Sequence, residues 1–296
     1  MSAGILLVDK PQGPTSHDVV ARVRRLAGTR RVGHAGTLDP MATGLLIIGV
    51  DAATRLLTYL VGADKEYEAT IRLGSATTTD DAEGETVSRA DSAALAAVTD
   101  EAVALGVAQL TGDVLQRPSS VSAIKVDGRR AYDRVRAGEE VELDARPVTV
   151  YDFEVLDVER SATAVDLEVK VVCSSGTYIR ALARDLGAGL GVGGHLTRLR
   201  RTRVGPFAVG AAHDLETLDA VRDALTPAEA AGAVFPRLEL DAQQAVDLGH
   251  GKRIGVDGQA DGDYAAIAAD GRLVALVAVA GGIARVTTGF PVEAGA

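Results

Sequence analysis

The sequence predicts an α+β fold with a small all-β module at its C-terminal end. Over the first 235 residues, segments with the alternating pattern of strands are mixed with segments whose apolar residues recur at helical spacing. After Pro236 the chain changes to short apolar runs broken by glycine and aspartate, which is typical of a compact β module. A length of 296 residues suits two unequal domains. We therefore expect a larger domain over residues 1–235 and a smaller one over 236–296.

Each predicted element of the larger domain rests on a local pattern. Residues Tyr67–Gly74 alternate between apolar and polar side chains, as a half-buried strand does. A helix begins near Ser16, and Gly28 is placed to end it. Thr226–Glu229 forms a capping box with proline at the first helical position. The other predictions are strands at Gly4–Val8, Val165–Val172 and Leu196–Val204, a buried strand or helix start at Leu45–Val50, and helices at Ala93–Leu110 and Thr177–Leu186.

Composition bounds the compartment and the class of protein. The 47% apolar content is ample for a core. A single cysteine, Cys173, excludes an intrachain disulfide framework and favours a reducing compartment. The first ten residues lack the pattern of a signal peptide, and the longest apolar runs, such as Leu273–Ala280, are too short to cross a bilayer. We expect a soluble protein of the cytoplasm.

Charge alternates along the chain although the net charge is −10. Three segments are basic, with net charges of +3 for residues 1–63, +4 for 117–136 and +5 for 180–205. The segments between and after them are acidic. If the basic segments converge in space, they form a positive face for a polyanion while the remaining surface repels it. The alternative is that the alternation is accidental. The stretch from about residue 117 to 146 contains glycines and is basic over its first twenty residues, and suggests an extended insertion.

The loop from Val32 to Leu46 places one carboxylate, Asp39, among three glycines and directly before Pro40. Glycine permits positive φ and close backbone approach, whereas proline fixes φ. Such a loop can hold a carboxylate rigidly at an open surface, and His34 lies close enough in sequence to share the site. The ordinary alternative is a tight turn with a solvated or capping aspartate.

A second group of residues lies where a strand turns through Ser174-Ser175-Gly176 into a helix, with Tyr178 and Arg180 in its first turn. Free backbone N–H groups at a helix start favour an anion, and Arg180 suits a bidentate pair with Asp39. The alternative is that Arg180 is a surface arginine, four residues before Arg184 on the same helix face. Tyr67 could stack on a base, or be an ordinary core residue.

Other patterns in the sequence are weaker. Cys173 is better explained as a packed thiol than as a nucleophile. Gly189, Gly191 and Gly194 match a dinucleotide-binding spacing, but they follow a helix instead of a strand, so we interpret them as a flexible connection. The five histidines are scattered singly, with no spacing typical of metal ligands. We therefore expect no metal site.

Several short motifs, taken in order, closely resemble the bacterial tRNA pseudouridine-55 synthases, the pseudouridine synthase B family. The resemblance runs from about Gly4 to Phe207 and is weaker beyond. The motifs are Asp9-Lys10-Pro11-x-Gly13-x-Thr15-Ser16, Gly33-His34-x-Gly36-Thr37-Leu38-Asp39-Pro40-x-Ala42-x-Gly44, Lys65-x-Tyr67, Pro118-x-x-x-Ser122-Ala123-x-Lys125, Gly176-Thr177-Tyr178-Ile179-Arg180 and Leu199-Arg200-Arg201-Thr202.

The resemblance implies a fold and a set of roles. The fold would be a mixed, mostly antiparallel sheet flanked by helices, with a thumb-like insertion near 117–146 and a PUA-like RNA-binding β-barrel at 236–296. Asp39 would be the nucleophile, Arg180 its partner, Tyr67 the residue packed on the base, and His34 the residue that holds the flipped nucleotide. Tyr178 and Leu199 would line the pocket. RNA contacts are expected from Lys10, Lys125, Arg130, Arg200 and Arg201.

The implied activity is conversion of uridine 55 in the T-loop of tRNA to pseudouridine. This isomerisation imports no electrons or groups, so it requires no cofactor, and the target base must be flipped out of a folded loop. The expected partner is the T-arm of tRNA, with no membrane and no obligate protein partner. Two alternatives remain: an RNA-folding chaperone with secondary catalysis, and a hydrolase that uses Asp39 with His34. Whether Asp39 attacks C1′, attacks the ring or removes a sugar proton stays open.

Overall fold

The computed structural model describes residues 4–119, 125–126, 129–130 and 143–291. The insertion predicted near 117–146 therefore lies largely outside the described residues. Within it, the backbones of Lys125–Val126 and Arg129–Arg130 pair as two short antiparallel strands.

The strands and helices are numbered in chain order. The strands are β1 (Gly4–Lys10), β2 (Val32–His34), β3 (Thr43–Val50), β4 (Lys65–Leu73), β5 (Ser75–Thr77), β6 (Thr86–Arg89), β7 (Gly112–Gln116), β8 (Lys125–Val126), β9 (Arg129–Arg130), β10 (Arg146–Arg160), β11 (Val165–Cys173), β12 (Gly194–Val204), β13 (Phe207–Ala208), β14 (His213–Asp214), β15 (Arg237–Leu240), β16 (Ile254–Gly255), β17 (Gly262–Ala268), β18 (Leu273–Ala280) and β19 (Ile283–Gly289). The α-helices are α1 (Ser16–Ala27), α2 (Leu57–Val61), α3 (Ser92–Ala96), α4 (Asp100–Gln109), α5 (Ile179–Gly189), α6 (Pro227–Val234) and α7 (Ala242–Gly249). Two 3₁₀ helices cover Asp51–Leu56 and Val209–Ala211.

The chain divides into two compact units that are discontinuous in sequence. Unit 1 comprises Met1–Leu38, Leu45–Val61 and Gly205–Ala296, and unit 2 comprises Asp39–Gly44 and Gly62–Val204. In the described part of the chain, no helix combines the length and apolarity needed to cross a membrane.

Unit 1 contains a sheet in which β1 lies between β14 and β3, with β2 antiparallel to β3. Helix α1 begins and ends where the sequence predicts. Thr15 and Asp18 form a capping box at its start, and Gly28 adopts a left-handed φ of 63° at its end. The capping box predicted at Thr226 is also present and begins α6.

The C-terminal part of unit 1 is the small β module that the sequence predicts. Its five strands have the order β15-β17-β18-β19-β16, and only the β15–β17 pair is parallel among the register-defined pairs. Its buried core residues come from these strands and from α7: they include Leu238, Leu248, Ile254, Ala275 and Val277. In the described residues the strands form an open, curled sheet in place of a closed barrel.

Unit 2 is built on an antiparallel sheet in the order β12-β4-β11-β10-β7. Thr43 and Gly44 pair in parallel with Arg200 and Arg201 of β12, so the sheet is mixed and mostly antiparallel. Along β11, buried and half-buried residues alternate strictly, which is the period-two pattern from which the strand was predicted. Helices α4 and α5 contact this sheet, and the predicted α+β fold is therefore confirmed.

One predicted helix is wrong in its continuity. The single helix expected at Ala93–Leu110 is instead α3 followed by α4. Thr99 has an extended backbone, and its hydroxyl accepts a hydrogen bond from the N–H of Ala102. Because an N-cap residue has non-helical geometry and satisfies a free N–H group, Thr99 starts a second helix after α3 has ended at Ala96.

The glycine-rich connection between α5 and β12 is tight, whereas the sequence suggested a flexible one. A side chain at Gly187 would lie 2.2 Å from the backbone of Gly193. The carbonyl of Gly187 accepts hydrogen bonds from the N–H groups of Val192 and Gly193, both at 3.0 Å. The glycines therefore allow two backbone segments to approach closely.

Substitution of Gly44 tests how much the close approach of the loop after Asp39 to β12 contributes to stability. The φ of Gly44 is +100°, and a Cβ at this position would lie 2.3 Å from the carbonyl oxygen of Arg201. We expect Gly44→Ala to lower the free energy of unfolding by roughly 3 kcal/mol or more, because both backbone strain and a clash are introduced. Gly112→Ala is the matched control, since Gly112 has a φ of +93° but open space around it. It should cost only about 1–2 kcal/mol. Equal losses in urea unfolding would show that the close approach is unimportant.

Candidate active site

Asp39 lies in unit 2 in a short turn that leaves its carboxylate accessible. The carbonyl of Asp39 accepts a hydrogen bond from the N–H of Ala42 at 3.1 Å, which closes the turn. The side chain of Asp39 is 36% exposed. The close approach of Gly44 to Arg201 fixes the far end of the turn. The loop therefore presents a carboxylate at the surface on a constrained backbone, as the sequence predicts.

Arg180 holds two carboxylates with one buried guanidinium. Its Nε lies 3.0 Å from Oδ2 of Asp39, and its Nη1 lies 3.3 Å from Oδ2 of Asp81. Nη1 also donates to the carbonyl of Thr79 at 2.9 Å. The side chains of Arg180 and Asp81 are both only 4% exposed. The ion pair between Arg180 and Asp39 was predicted, and the second carboxylate was not.

Asp81 is itself held in place by the loop around it. One of its carboxylate oxygens accepts hydrogen bonds from the hydroxyl of Thr79 at 2.5 Å and from the N–H of Glu83 at 3.0 Å. Its carbonyl accepts a hydrogen bond from the hydroxyl of Thr77. The sequence analysis did not single out this acidic, threonine-rich loop. The available signal was the run of threonines beside it, because hydroxyls next to an aspartate favour a hydrogen-bonded turn.

The start of α5 is fixed by a buried amide that the sequence interpretation also missed. Gln116, at the end of β7, donates to the carbonyl of Tyr178 at 3.0 Å and accepts from its N–H at 2.7 Å. Tyr178 is the N-cap residue of α5 and uses no side-chain cap. Gln116 therefore occupies both main-chain groups of the residue two positions before Arg180, and it fixes the entry of the helix that carries the arginine.

Tyr67 lies on the buried face of β4, opposite Arg201 of β12. Burial is the main cause that raises the pKa of the Tyr67 phenol, while the neighbouring Arg201 opposes the shift through its charge and a hydrogen bond. The negative charge of Asp39 also raises the pKa of Tyr67, although less than burial does. Leu199 is buried on β12 as well. The structure thus brings Asp39 and Arg180 into contact, with Tyr67 within reach of the charge of Asp39.

Two titratable groups are buried beside one another at the ends of β4 and β11. Lys65 pairs in register with Cys173. Burial, followed by the charge of Arg201, lowers the pKa of Lys65 to about 8. Burial also raises the pKa of the Cys173 thiol to about 11, so the thiol stays protonated and is poorly suited to act as a nucleophile.

The other predicted site residues differ in their surroundings. His34 and Lys10 belong to unit 1, where the His34 ring packs edge-to-face on His17 with centroids 5.7 Å apart. Lys10 is fully buried and donates to the carbonyl of Pro11. Arg201 is 1% exposed, whereas Arg200 is half-buried. The contacts of these residues with RNA stay predictions.

The predicted contacts of Lys125 and Arg130 also stay predictions. Their backbones lie in the β8–β9 pair. Across the described residues, no group of three or more His, Cys, Asp or Glu side chains is arranged to hold a metal ion.

Three family models together match most of the chain. Residues 24–179 match the N-terminal domain of the TruB family of pseudouridylate synthases, residues 180–238 match the tRNA pseudouridylate synthase B C-terminal domain, and residues 235–291 match the C-terminal domain of tRNA pseudouridine synthase II. The antiparallel sheet, the accessible aspartate and these matches define the chain as a pseudouridylate synthase. Within that class, it belongs to the TruB family.

Curated relatives match this chain over nearly its full length. The chain is 62% identical to the tRNA pseudouridine synthase B of Leifsonia xyli subsp. xyli (strain CTCB07), covering 99% of this chain and 98% of the relative. It is 57% identical to the enzyme with the same name from Arthrobacter sp. (strain FB24), covering 96% and 95%. The relative from Thermobifida fusca (strain YX) is also 57% identical, over 93% and 94%.

Solved structures share the fold at lower identity. A chain of an H/ACA RNP bound to a substrate RNA containing 2′-deoxyuridine superposes with a TM-score of 0.71 and 25% identity, covering 98% of this chain and 86% of that one. A chain of a Cbf5-Nop10-Gar1 complex gives a TM-score of 0.70 and 26% identity, over 97% and 85%.

The buried Lys65 predicts a measurable pH dependence of stability. The unfolded chain keeps this proton up to about the usual pKa of 10.5, whereas the folded protein releases it near 8. Stability should therefore rise between about pH 8 and 10.5, by about 1.4 kcal/mol per pH unit at most. The raised pKa of Cys173 acts in the opposite direction, but only above its usual value of 9.0.

The informative window is therefore pH 8 to 9. We expect the free energy of unfolding in urea, measured at about pH 7 and about pH 9, to increase at the higher pH in the wild type relative to Lys65→Met. The variant lacks the buried ammonium and therefore lacks this gain. Subtracting the change in the variant from the change in the wild type removes the pH dependence that all the other titrating groups contribute. Identical pH profiles would contradict the buried position of the ammonium.

Proposed function

We propose that this protein converts uridine 55 in the T-loop of tRNA to pseudouridine, with Asp39 as the nucleophile. The observation that carries the proposal is the contact of Asp39, accessible at the surface, with the buried Arg180 at 3.0 Å. The names of its curated relatives support tRNA as the substrate. The assignment of position 55 rests on the resemblance of the sequence motifs to the pseudouridine-55 synthases.

The reaction is balanced without any external reagent. The C1′–N1 glycosidic bond breaks, the uracil turns, and a C5–C1′ bond forms. C5 then loses its proton to solvent, and N1 gains one. No electrons are transferred, so a carboxylate that forms and releases a covalent bond to the substrate supplies the catalysis that is needed. The charge-assisted contact with Arg180 orients Asp39 for that step.

The tyrosine beside Asp39 supplies a flat, uncharged surface for the target base. Because burial raises the pKa of Tyr67, its phenol is neutral at physiological pH. A neutral aromatic ring can stack on the extruded uracil and recover part of the few kcal/mol that base flipping costs. In this proposal Leu199 and Tyr178 line the pocket, and His34 holds the flipped nucleotide.

The rest of the chain would hold the tRNA. We propose residues 1–235 as the catalytic domain, with a thumb-like insertion near 117–146, and residues 236–296 as a small RNA-binding domain. Lys10, Lys125, Arg130, Arg200 and Arg201 are the proposed RNA contacts. Such a protein would act in the cytoplasm as a single chain, with the T-arm of tRNA as its partner and without an obligate protein partner.

Loss of the Asp39 carboxylate should abolish product without abolishing tRNA binding. We expect Asp39→Asn to release no tritium above background from tRNA labelled at C5 of uridine, since the amide is a poor nucleophile. A tRNA that carries cytidine at position 55 is the substrate control and should release none with the wild type. Pseudouridine formation by Asp39→Asn would contradict the proposed role of Asp39 as the nucleophile. Bound tRNA that refolds without tritium release from either protein would favour an RNA chaperone.

Replacement of Arg180 by lysine should be nearly as severe. Two nitrogens of the guanidinium reach Asp39, Asp81 and the carbonyl of Thr79, and a single ammonium cannot span these acceptors. We expect the single-turnover rate constant to fall about 100-fold. Arg198→Lys is the matched control, because Arg198 is 47% exposed and pairs with Glu168 away from Asp39. Similar rates for the two variants would argue against a bridging role for Arg180.

A further inference from the structure

Two successive aspartates of one loop contact two arginines on one face of α5. Asp81 lies 3.3 Å from Arg180, and Asp80 lies 3.2 Å from Arg184. Residues four apart on a helix lie on the same side, one turn from each other. The second ion pair is thus one helical turn behind the first and is removed from Asp39. Its side chains are still mostly buried, with 13% of Asp80 and 27% of Arg184 exposed.

The backbone at Asp80 is in the left-handed region, with a φ of 59°. A residue other than glycine in this region costs on the order of 1–3 kcal/mol and persists only when its surroundings hold it there. Hydrogen bonds to the carboxylate and the carbonyl of Asp80 hold it in this conformation. Oδ2 accepts from the hydroxyl of Ser119 at 2.5 Å and from Arg184, and the carbonyl of Asp80 accepts from the N–H of Leu196 at 3.0 Å.

Arg184 connects this carboxylate to a second segment. Its Nη2 donates to the carbonyl of Arg117 at 2.7 Å, and its Nε donates to the neighbouring Asp185 at 2.8 Å. Ser119 and Arg117 follow directly on Gln116, whose amide fixes the entry of α5. The same few residues therefore hold both the loop at Asp80 and the helix that carries Arg180.

We propose that Asp80 and Arg184 are positioning residues for the catalytic pair. The left-handed turn at Asp80 determines the direction in which the next residue, Asp81, points. Asp81 then fixes Arg180, and Arg180 orients Asp39. Neither Asp80 nor Arg184 contacts Asp39 in this scheme, so both act on the rate through the Asp81–Arg180 contact. This inference rests on the proposed function of Asp39.

The test compares variants that keep the backbone and change only the contacts. Asp80→Gly tolerates the positive φ and removes the carboxylate, whereas Asp80→Asn also tolerates it and keeps one hydrogen-bond acceptor. Arg184→Gln removes the partner. Asp185→Asn is the matched control, since it removes another carboxylate from the same arginine without touching the loop at Asp80.

We expect the single-turnover rate constant for tritium release, at saturating enzyme, to fall about tenfold in Asp80→Gly and Arg184→Gln. Asp80→Asn should recover part of this loss, and Asp185→Asn should match the wild type. The double variant Asp80→Gly/Arg184→Gln should be no slower than either single variant, because both remove the same contact. The Kd for tRNA should stay within about twofold, since the contact orients Asp39 instead of holding RNA.

The possible failures are distinguishable. A wild type that releases no tritium overturns the proposed function itself. If the wild type is active and the single-turnover rate constant of Asp80→Gly equals that of Asp185→Asn, the positioning role alone is overturned. A weaker Kd with an unchanged rate constant also overturns it, because a merely structural change in the loop would alter binding. Additive losses in the double variant would show that the two residues act separately.

Discussion

The arrangement of the site depends on a buried guanidinium that must be neutralised. Arg180 is almost fully enclosed, and an unpaired charge in such a position would be strongly destabilising. Two carboxylates from separate loops meet this requirement, one of them buried and one accessible. The buried partner, Asp81, fixes the arginine, and the accessible partner, Asp39, is oriented by it. The same electrostatic requirement thus constrains the fold and holds an accessible carboxylate at the surface.

The sequence predicted the parts of this site that have a local signature. Asp39 stands among glycines, and Arg180 stands in the first turn of a helix, so both could be singled out from short patterns. Asp81 and Gln116 could not, because their importance comes from contacts with residues distant in sequence. Arg201 was expected only as an RNA contact, and its burial opposite Tyr67 was not predicted.

The elements show the same division between local and distant information. Strands with strict alternation and helices with capping signals were predicted closely, since their causes lie within a few residues. The strand order of unit 2 depends on which apolar faces meet, and the resemblance supplied only its class. Part of the alternation of charge along the chain is explained by ion pairs between segments that are distant in sequence. Arg198 and Arg203 of β12 pair with acidic residues on or just before β4 and on β11, namely Asp64, Glu66, Glu68 and Glu168.

The close contact between Gly44 and Arg201 has a consequence for how the enzyme comes into being. The turn that carries Asp39 is made early during synthesis, but the strand that fixes it and the helix that carries its arginine are made much later. A growing chain on the ribosome thus holds Asp39 for most of translation without the groups that orient it. The ion pair with Arg180 can form only after α5 has emerged, and the contact with Arg201 only after β12, so a truncated product would carry the aspartate without either.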